Sequence, residues 1–285
     1  MGDSPNLTVL RAQLGRELRQ LAEAAGKSPA VVADYIGVST STVSKIYNGR
    51  QAVKVSQVRS IARLCGATTK RESELVDLAA QGGRPGWWAE YAEVIPEWFR
   101  HLLGLEAAAD EIAVYEMELV PGLVQTAGYT EAIARSAHPD QSDAEIARLV
   151  GFRQARQQHL HDNGGPPRLR IILNEAVLMR PVGSADVWRE QLEQLISLAD
   201  EPHVTMQVLT FASGVHPVMG SAFKVLRFES EPSLTTAFLE NDRTGGLLKR
   251  PADIRRYMSV FDLLAGQAAT PEKSQDMLVR VAKHV

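Results

Sequence analysis

At 285 residues, 45% hydrophobic and 23% charged, the chain has room for about two domains and the composition of an ordinary globular protein. No apolar run approaches the ~20 residues of a membrane span, and the N-terminus lacks the charged start and apolar core of a secretory signal. A single cysteine, Cys65, excludes an internal disulfide framework and a cysteine-built zinc site, so a cytoplasmic protein is expected. The net charge of −3 hides an asymmetry: residues 1–84 hold 12 Lys/Arg against 7 Asp/Glu, and residues 85–285 hold 19 against 27. A basic head on an acidic body fits a DNA-binding module attached to a part that must not bind DNA.

The first helix is predicted from Thr8 to Ala25, because Leu10, Leu14, Leu18, Leu21 and Ala25 recur at helical spacing. Arg11, Arg16 and Arg19 lie off this stripe, where they reach phosphate or merely solvate the helix. Gly26 ends it. Ser28 to Arg50 then reads as a helix-turn-helix. Ser28 caps the first motif helix with Pro29 at its first position, and Ser39 caps the second. Ala33 is small four residues before Gly37, which allows a tight interhelical turn. Val43, six residues after the glycine, plugs the gap between the helices. Asn48-Gly49 supplies the stop.

Val43 and Ile46 face the core of the second helix, which leaves Ser39, Thr40, Ser41, Thr42, Ser44, Lys45 and Asn48 as a base-reading face. Hydroxyls, amides and a lysine pair with base edges when such a helix enters the major groove. An ordinary helical hairpin with solvated polar residues is the plainer alternative. Arg50 and Lys54 follow directly and, with Arg16, are the phosphate candidates. Helices over Ser56–Cys65 and residues 70–80 complete an all-α head of five helices.

The stretch Leu14–Gly66 resembles the lambda-repressor/Cro type of helix-turn-helix, the Xre family, through LGRELRQLAEAAGKS, AxxxGVSxxxVSKI, NGR and IARLCG. The resemblance implies a homodimer on a palindromic double-stranded operator. Two positions depart from it: Pro29 stands where a phosphate-gripping glutamine is common, and Tyr47 where a glutamate is common.

Three glycines and a proline within Gln81–Gly86 mark a linker, so the expected division is a head over 1–80, a linker over 81–86 and a body over 87–285. Trp87, Trp88, Tyr91, Trp98 and Phe99 form an aromatic group, read either as a hydrophobic seam or as core filling. The body alternates elements. Strands are expected at Ile112–Val120, Arg168–Leu173, Val204–Phe211, Phe223–Phe228 and Thr235–Glu240. Helices are expected after VPGLVQTAGY, over Ser142–His161, Asp186–Ala199, 251–266 and 271–284. On the long helix Arg148, Arg153 and Arg156 look like one basic ridge. The strand-helix-strand order at 168–211 implies a crossover, so the whole is a multidomain chain: an all-α head plus an α+β, mixed α/β, body.

Residues 87–285 resemble the C-terminal domain of WhiJ-like, antitoxin-like regulators of actinobacteria, through LVPGLVQTAGY, FRQARQ, NEAVLMRPVG, REQLEQL, AFLEN and TPEKS. The resemblance implies a transcription factor working with a separate small partner protein. No phosphate-cradling loop, dinucleotide fingerprint, nucleophile elbow or HExxH motif is present, and neither cofactor nor metal is expected. Glu175, Glu240 and Asp242 after strands, with His216 in the SGVHP loop, are the residues an acid–base centre would use. Surface carboxylates at strand ends and loop histidines are common without one, so a non-catalytic body is expected. It either docks a partner through Trp87 and Trp88 or closes on a ligand with Glu175, His216 and Asn241 as its polar points.

Overall fold

The computed structural model describes residues 7–82, 87–160, 165–229, 231–240, 245–248 and 250–285. Residues 83–86 of the expected linker, Asn241 and Asp242 lie outside them. The chain divides into two compact units: Met1–Glu90 with Leu103–Ala108, and Tyr91–Leu102 with Ala109–Val285.

In the first unit five helices follow one another: α1 (Leu7–Ala24), α2 (Pro29–Tyr35), α3 (Thr40–Tyr47), α4 (Val55–Leu64) and α5 (Thr69–Gly82). Helix α5 runs through Gln81 and Gly82, two residues that the glycine content of the stretch had assigned to the linker. The core is the apolar stripe of each helix: Leu14 and Leu18 of α1, Val32 of α2, Val43 and Ile46 of α3, Ile61 of α4 and Leu75 of α5. The 3-10 turn Trp87–Tyr91 follows, and α6 (Glu97–Glu106) carries the chain from one unit into the other.

The second unit is built on β1 (Glu111–Glu116), α7 (Ala127–Ala137), α8 (Asp143–His159), β2 (Arg168–Asn174), α9 (Glu175–Met179), α10 (Ala185–Ala199), β3 (Val204–Leu209), β4 (Phe223–Arg227), β5 (Thr236–Glu240), β6 (Gly245–Leu248), α11 (Pro251–Gln267) and α12 (Pro271–Ala282). Its six strands lie in the order β3-β2-β1-β4-β5-β6. β1, β2 and β3 are parallel, joined by helical crossovers, whereas β4 pairs antiparallel with β1, β5 with β4 and β6 with β5. The architecture is the expected α+β, with an all-α helix-turn-helix region in front. Three details of the strands differ. β1 stops at Glu116, four residues short of the sequence reading. β3 gives way at Thr210 to a 3-10 turn. β6 is a strand that Gly245-Gly246 hid.

Side chains alternate across the sheet, and the two faces differ in chemistry. Tyr115 (β1), Ile172 (β2), Phe223 and Val225 (β4) and Ala237 (β5) pack on Val260, Phe261 and Leu264 of α11. The register pairs Val114 with Lys224 and Lys224 with Phe238, so Glu116, Lys224, Phe238 and Glu240 share the other face. Phe99 bridges that face to α8, with ring centroids 6.5 Å from Phe238 and 6.2 Å from Phe152. The outer edge of β3 is closed by the α11–α12 connection. The Ala269 N–H donates to the Val208 carbonyl, and the Val208 N–H donates to Ser274 Oγ at 2.9 Å.

The turn VPGLVQTAGY owes its shape to buried side chains that hold its backbone. Gln125 Nε2 donates to the Val120 carbonyl, and the Val120 N–H donates to the Tyr129 hydroxyl. Gln191 of α10, fully buried, accepts from the Thr126 N–H at 2.8 Å and donates to the Val124 carbonyl at 2.9 Å. At the other end of β1, buried Glu111 gathers Arg227 at 3.1 Å, Arg168 at 3.6 Å and Arg170 at 3.8 Å.

Candidate functional site

The motif helices begin as the capping chemistry dictates. Ser28 Oγ accepts from the Val31 N–H and Ser39 Oγ from the Thr42 N–H at 3.1 Å. Gly37 turns the chain at φ +69°, with open space around it. Gly49 stops α3 at φ +70°, and there a β-carbon would stand 2.7 Å from Ala12 Cα and 2.8 Å from Ala12 N. At Gly15 a β-carbon would collide with the Ile46 carbonyl oxygen and lie 2.8 Å from that of Tyr47. Backbone contact at these two glycines seats α3 directly on α1.

The proposed reading residues fall into two groups. Ser39, Thr40, Ser41, Ser44 and Lys45 are exposed, while Thr42 and Asn48 are half-buried. Three of them hold the helix: Ser39 Oγ caps it and bonds Thr42 Oγ1, and Asn48 Nδ2 donates to the Ser44 carbonyl. Thr40, Ser41, Ser44 and Lys45 therefore make the outward face, opposite buried Val43 and Ile46.

Arg50 and Lys54 are exposed beside it, and Gln57 Oε1 accepts from the Lys54 N–H. The arginines of α1 diverge. Arg11 Nε donates to the Gly82 carbonyl at 2.6 Å, tying α1 to α5, and Arg19 pairs with Glu23 at 2.8 Å. Arg16 stays half-buried on α1. Tyr47, where the related motifs often carry glutamate, buries its hydroxyl without a hydrogen-bond partner among the described residues, and burial pushes it up to about 12.

The aromatic group is divided between the units. Trp87 and Trp88 meet edge-to-face at 5.9 Å in the first, where Trp88 is buried. Tyr91 and Phe99 pack on Phe152 in the second.

Of the polar points expected in the body, Glu175 and His216 both adjoin the 210–216 loop, and Glu240 lies elsewhere. Glu175 accepts from the Phe211 N–H at 2.7 Å and so pins the start of the 210–216 loop. His216 sits over Tyr115, Nε2 to the hydroxyl 3.3 Å, and burial lowers its pKa. Both His216 and Tyr115 line a cavity of about 400 Å³ at the ends of β1, β2 and β3. Glu240 is on the opposite face, so Glu175, Glu240 and His216 form no common centre. Around the first cavity the surface is apolar: Phe211, Val215 and Met219 are exposed, and Met179 stands exposed at the end of α9.

The basic ridge of α8 does not form. Arg148 is exposed and pairs with Glu93 at 3.5 Å, whereas Arg156 is buried. Arg148 lies five residues, about 140° around the helix, from Arg153 and eight residues, about 80°, from Arg156, so the three do not share one narrow face. Arg153 and Arg156 instead line a second cavity, of about 240 Å³, with Glu116, Lys224 and Glu240. Burial pushes Glu116 up to about 7, with Glu240 adding to the shift and Lys224, Arg153 and Arg156 opposing it. A carboxyl whose folded pKa exceeds its ordinary 4.5 favours the fold when protonated, so its contribution fades as pH rises from about 4.5 to about 7. Glu116→Gln is expected to melt progressively above the wild type across that window. A difference between the two that does not change with pH would show that Glu116 keeps an ordinary carboxyl pKa.

The helix-turn-helix geometry of the first unit and the mixed sheet of the second define a DNA-binding regulator with a separate α+β domain. Residues 13–75 match a family described as a helix-turn-helix domain. Residues 99–280 match the family described as domain of unknown function DUF5753, to which the chain belongs. No curated protein and no solved structure matches it. Among the described residues no helix is long and apolar enough to cross a membrane.

Proposed function

We propose that the protein is a sequence-specific transcriptional regulator that binds a palindromic operator as a homodimer in the cytoplasm. The observation that carries this reading is the exposed face of α3, with Thr40, Ser41, Ser44 and Lys45 on one side and Val43 and Ile46 seated in the core on the other. Two such helices enter successive major grooves, with half-sites one helical turn apart, about 34–36 Å. Arg50 and Lys54 hold the backbone and contribute affinity without choosing sequence. The resemblance to Xre regulators supports the dimer.

The body, in this reading, is a docking domain and not an enzyme. The exposed Phe211, Val215 and Met219 around the 400 Å³ cavity offer an apolar contact to a small partner protein, and the acidic charge of residues 85–285 favours a basic one. The likeness to WhiJ-like, antitoxin-like regulators supports such a partner.

Genome-wide binding of the tagged full-length protein, with co-purified proteins identified from the same cells, tests both halves. A few sharp palindromic sites and one recovered small protein are expected; the absence of DNA enrichment overturns the regulator reading. On an identified operator, Lys45→Ala is expected to weaken specific binding by about 1–3 kcal/mol and leave non-specific binding nearly unchanged. Arg50→Ala is expected to weaken all sequences alike and to lower the salt slope by about one ion.

A further inference from the structure

From the cavity at the ends of β1, β2 and β3 we infer that the second unit binds a neutral, largely apolar small molecule whose carbonyl oxygen accepts a hydrogen bond from His216. The inference goes beyond the docking reading, which uses only the exposed rim of this cavity, and is independent of DNA binding.

The site is built on the carboxyl ends of three parallel strands, the end at which open sheets of this kind place ligands. Tyr115 is the last but one residue of β1, Asn174 the last of β2 and Leu209 the last of β3. The segment after β3 adds Phe211, Val215, His216 and Met219 to the wall. That segment is fixed at its base. Glu175 holds the Phe211 N–H, Thr210 Oγ1 and Ser213 Oγ lie 3.1 Å apart, and Ser213 Oγ donates to the Gln267 carbonyl at 3.1 Å. Past Gly214, Val215 and Met219 stand 81% and 58% exposed. Apolar side chains left in water beside an open cavity gain by closing on an apolar guest.

A chain of three side chains decides the chemistry. Asn174 Oδ1 accepts from the Ala176 N–H at 3.0 Å, which leaves Nδ2 to donate to the Tyr115 hydroxyl. That bond lowers the Tyr115 pKa, against the larger rise that burial causes. Tyr115 is fully buried, so its O–H needs an acceptor. Among the described residues that acceptor is His216 Nε2, 3.3 Å away. Burial lowers the His216 pKa, so near neutral pH the imidazole is uncharged and carries its hydrogen on Nδ1. Nδ1 is buried and has no partner among the described residues, which leaves one donor unmatched. Gly214 sits in open space, so the segment can shift to present Nδ1 to a guest that brings an acceptor. The wall offers nothing to an ion. Besides His216, Glu118 is its charged residue among the described ones, and Glu118 is paired with Arg180 at 2.6 Å. A charged guest would lose its hydration without meeting a free counter-charge. The volume of about 400 Å³ lies within the roughly 300–1,000 Å³ of drug-sized sites.

The test is calorimetric titration and thermal melting of the full-length protein near neutral pH. Acetophenone, benzophenone and caprolactam are each compared with the hydrocarbon, the carboxylate and the amine of matching skeleton. Saturable binding and a raised melting temperature are expected for one or more of the carbonyl compounds. The matching hydrocarbon is expected to bind about fivefold more weakly, the scale of one neutral hydrogen bond, and the carboxylate and amine not at all. His216→Phe keeps a ring beside Tyr115 and removes both nitrogens, so it is expected to erase the preference for the carbonyl compound over the hydrocarbon. Ala176→Leu, which fills the cavity from its wall, is expected to abolish binding of every probe. If His216 only supports the fold, His216→Phe lowers the melting temperature and leaves the preference intact, which overturns the inference. Equal binding of carbonyl compound and hydrocarbon, a preference for the carboxylate or amine, or binding that survives Ala176→Leu overturns it as well. No binding in any set, with a partner protein still recovered from cells, overturns the ligand site and leaves the docking reading standing.

Discussion

Gly49→Ala is expected to unseat the helix-turn-helix, costing about 3 kcal/mol. The left-handed conformation of Gly49 costs any residue with a β-carbon about 1–2 kcal/mol, and forcing that carbon against the Ala12 backbone adds an overpacking cost of about 1–3 kcal/mol. A head of this size has only about 4–11 kcal/mol of stability, so operator binding falls with it. Gly37→Ala is the internal control: its φ is the same within a degree, but nothing lies within 4 Å, and only the conformational cost of about 1–2 kcal/mol applies. Gly15→Ala is the complementary case, a helical glycine with no conformational penalty and the same backbone collision. Hydrogen exchange on the full-length protein, resolved to peptides covering Leu7–Ala24 and Thr40–Tyr47, separates the three. Strong deprotection by Gly49→Ala and Gly15→Ala, with mild deprotection by Gly37→Ala, is expected. Equal behaviour of Gly37→Ala and Gly49→Ala would show that contact with α1 does not matter.

The contrast between these glycines marks what local sequence can and cannot reveal. Ser28, Ser39 and Gly37 act within a few residues of themselves, and the Val43/Ile46 pair shows in its own helical spacing, so their roles are legible without a fold. Gly15 and Gly49 matter because α1 crosses α3, a relation across more than thirty residues that leaves no local mark. The body follows the same rule. Its helices and most strands show in periodicity, but the glycines of β6 erase alternation and α9 is too short for a helical stripe. The charged cavity is assembled from β1, α8, β4 and β5. The arginines of α8 and Glu240 were singled out beforehand, but not as neighbours, and the arginines' charge pointed outward in the reading because arginine is seldom buried. The exposed side of α3 was legible in the sequence, which did not show that Ser39, Thr42 and Asn48 are partly committed to holding the helix.

Gln191→Leu is the second large effect expected. Leucine keeps the bulk of the side chain but removes both hydrogen bonds, leaving the Thr126 N–H and the Val124 carbonyl without their buried partner. Each such group costs about 1–3 kcal/mol, for a total of about 3 kcal/mol. For a domain of nearly two hundred residues that corresponds to a fall of about 6–12 °C in melting temperature, read by calorimetry of the full chain. The same change should loosen the 120–126 turn and, through the Gln157 bonds to Gly122 and Gln125, the seat of Arg153. A melting temperature equal to that of the wild type would mean that the turn finds other partners for its backbone.

The closed edge of β3 bears on how the protein is made. The groups that seal it, Ala269 and Ser274, follow every strand in the chain. During synthesis the sheet is therefore complete before its flank is covered, and for that interval β3 presents open backbone groups to any other nascent chain. Residues 269–274 are thus the last part of the sheet's surroundings to be synthesised.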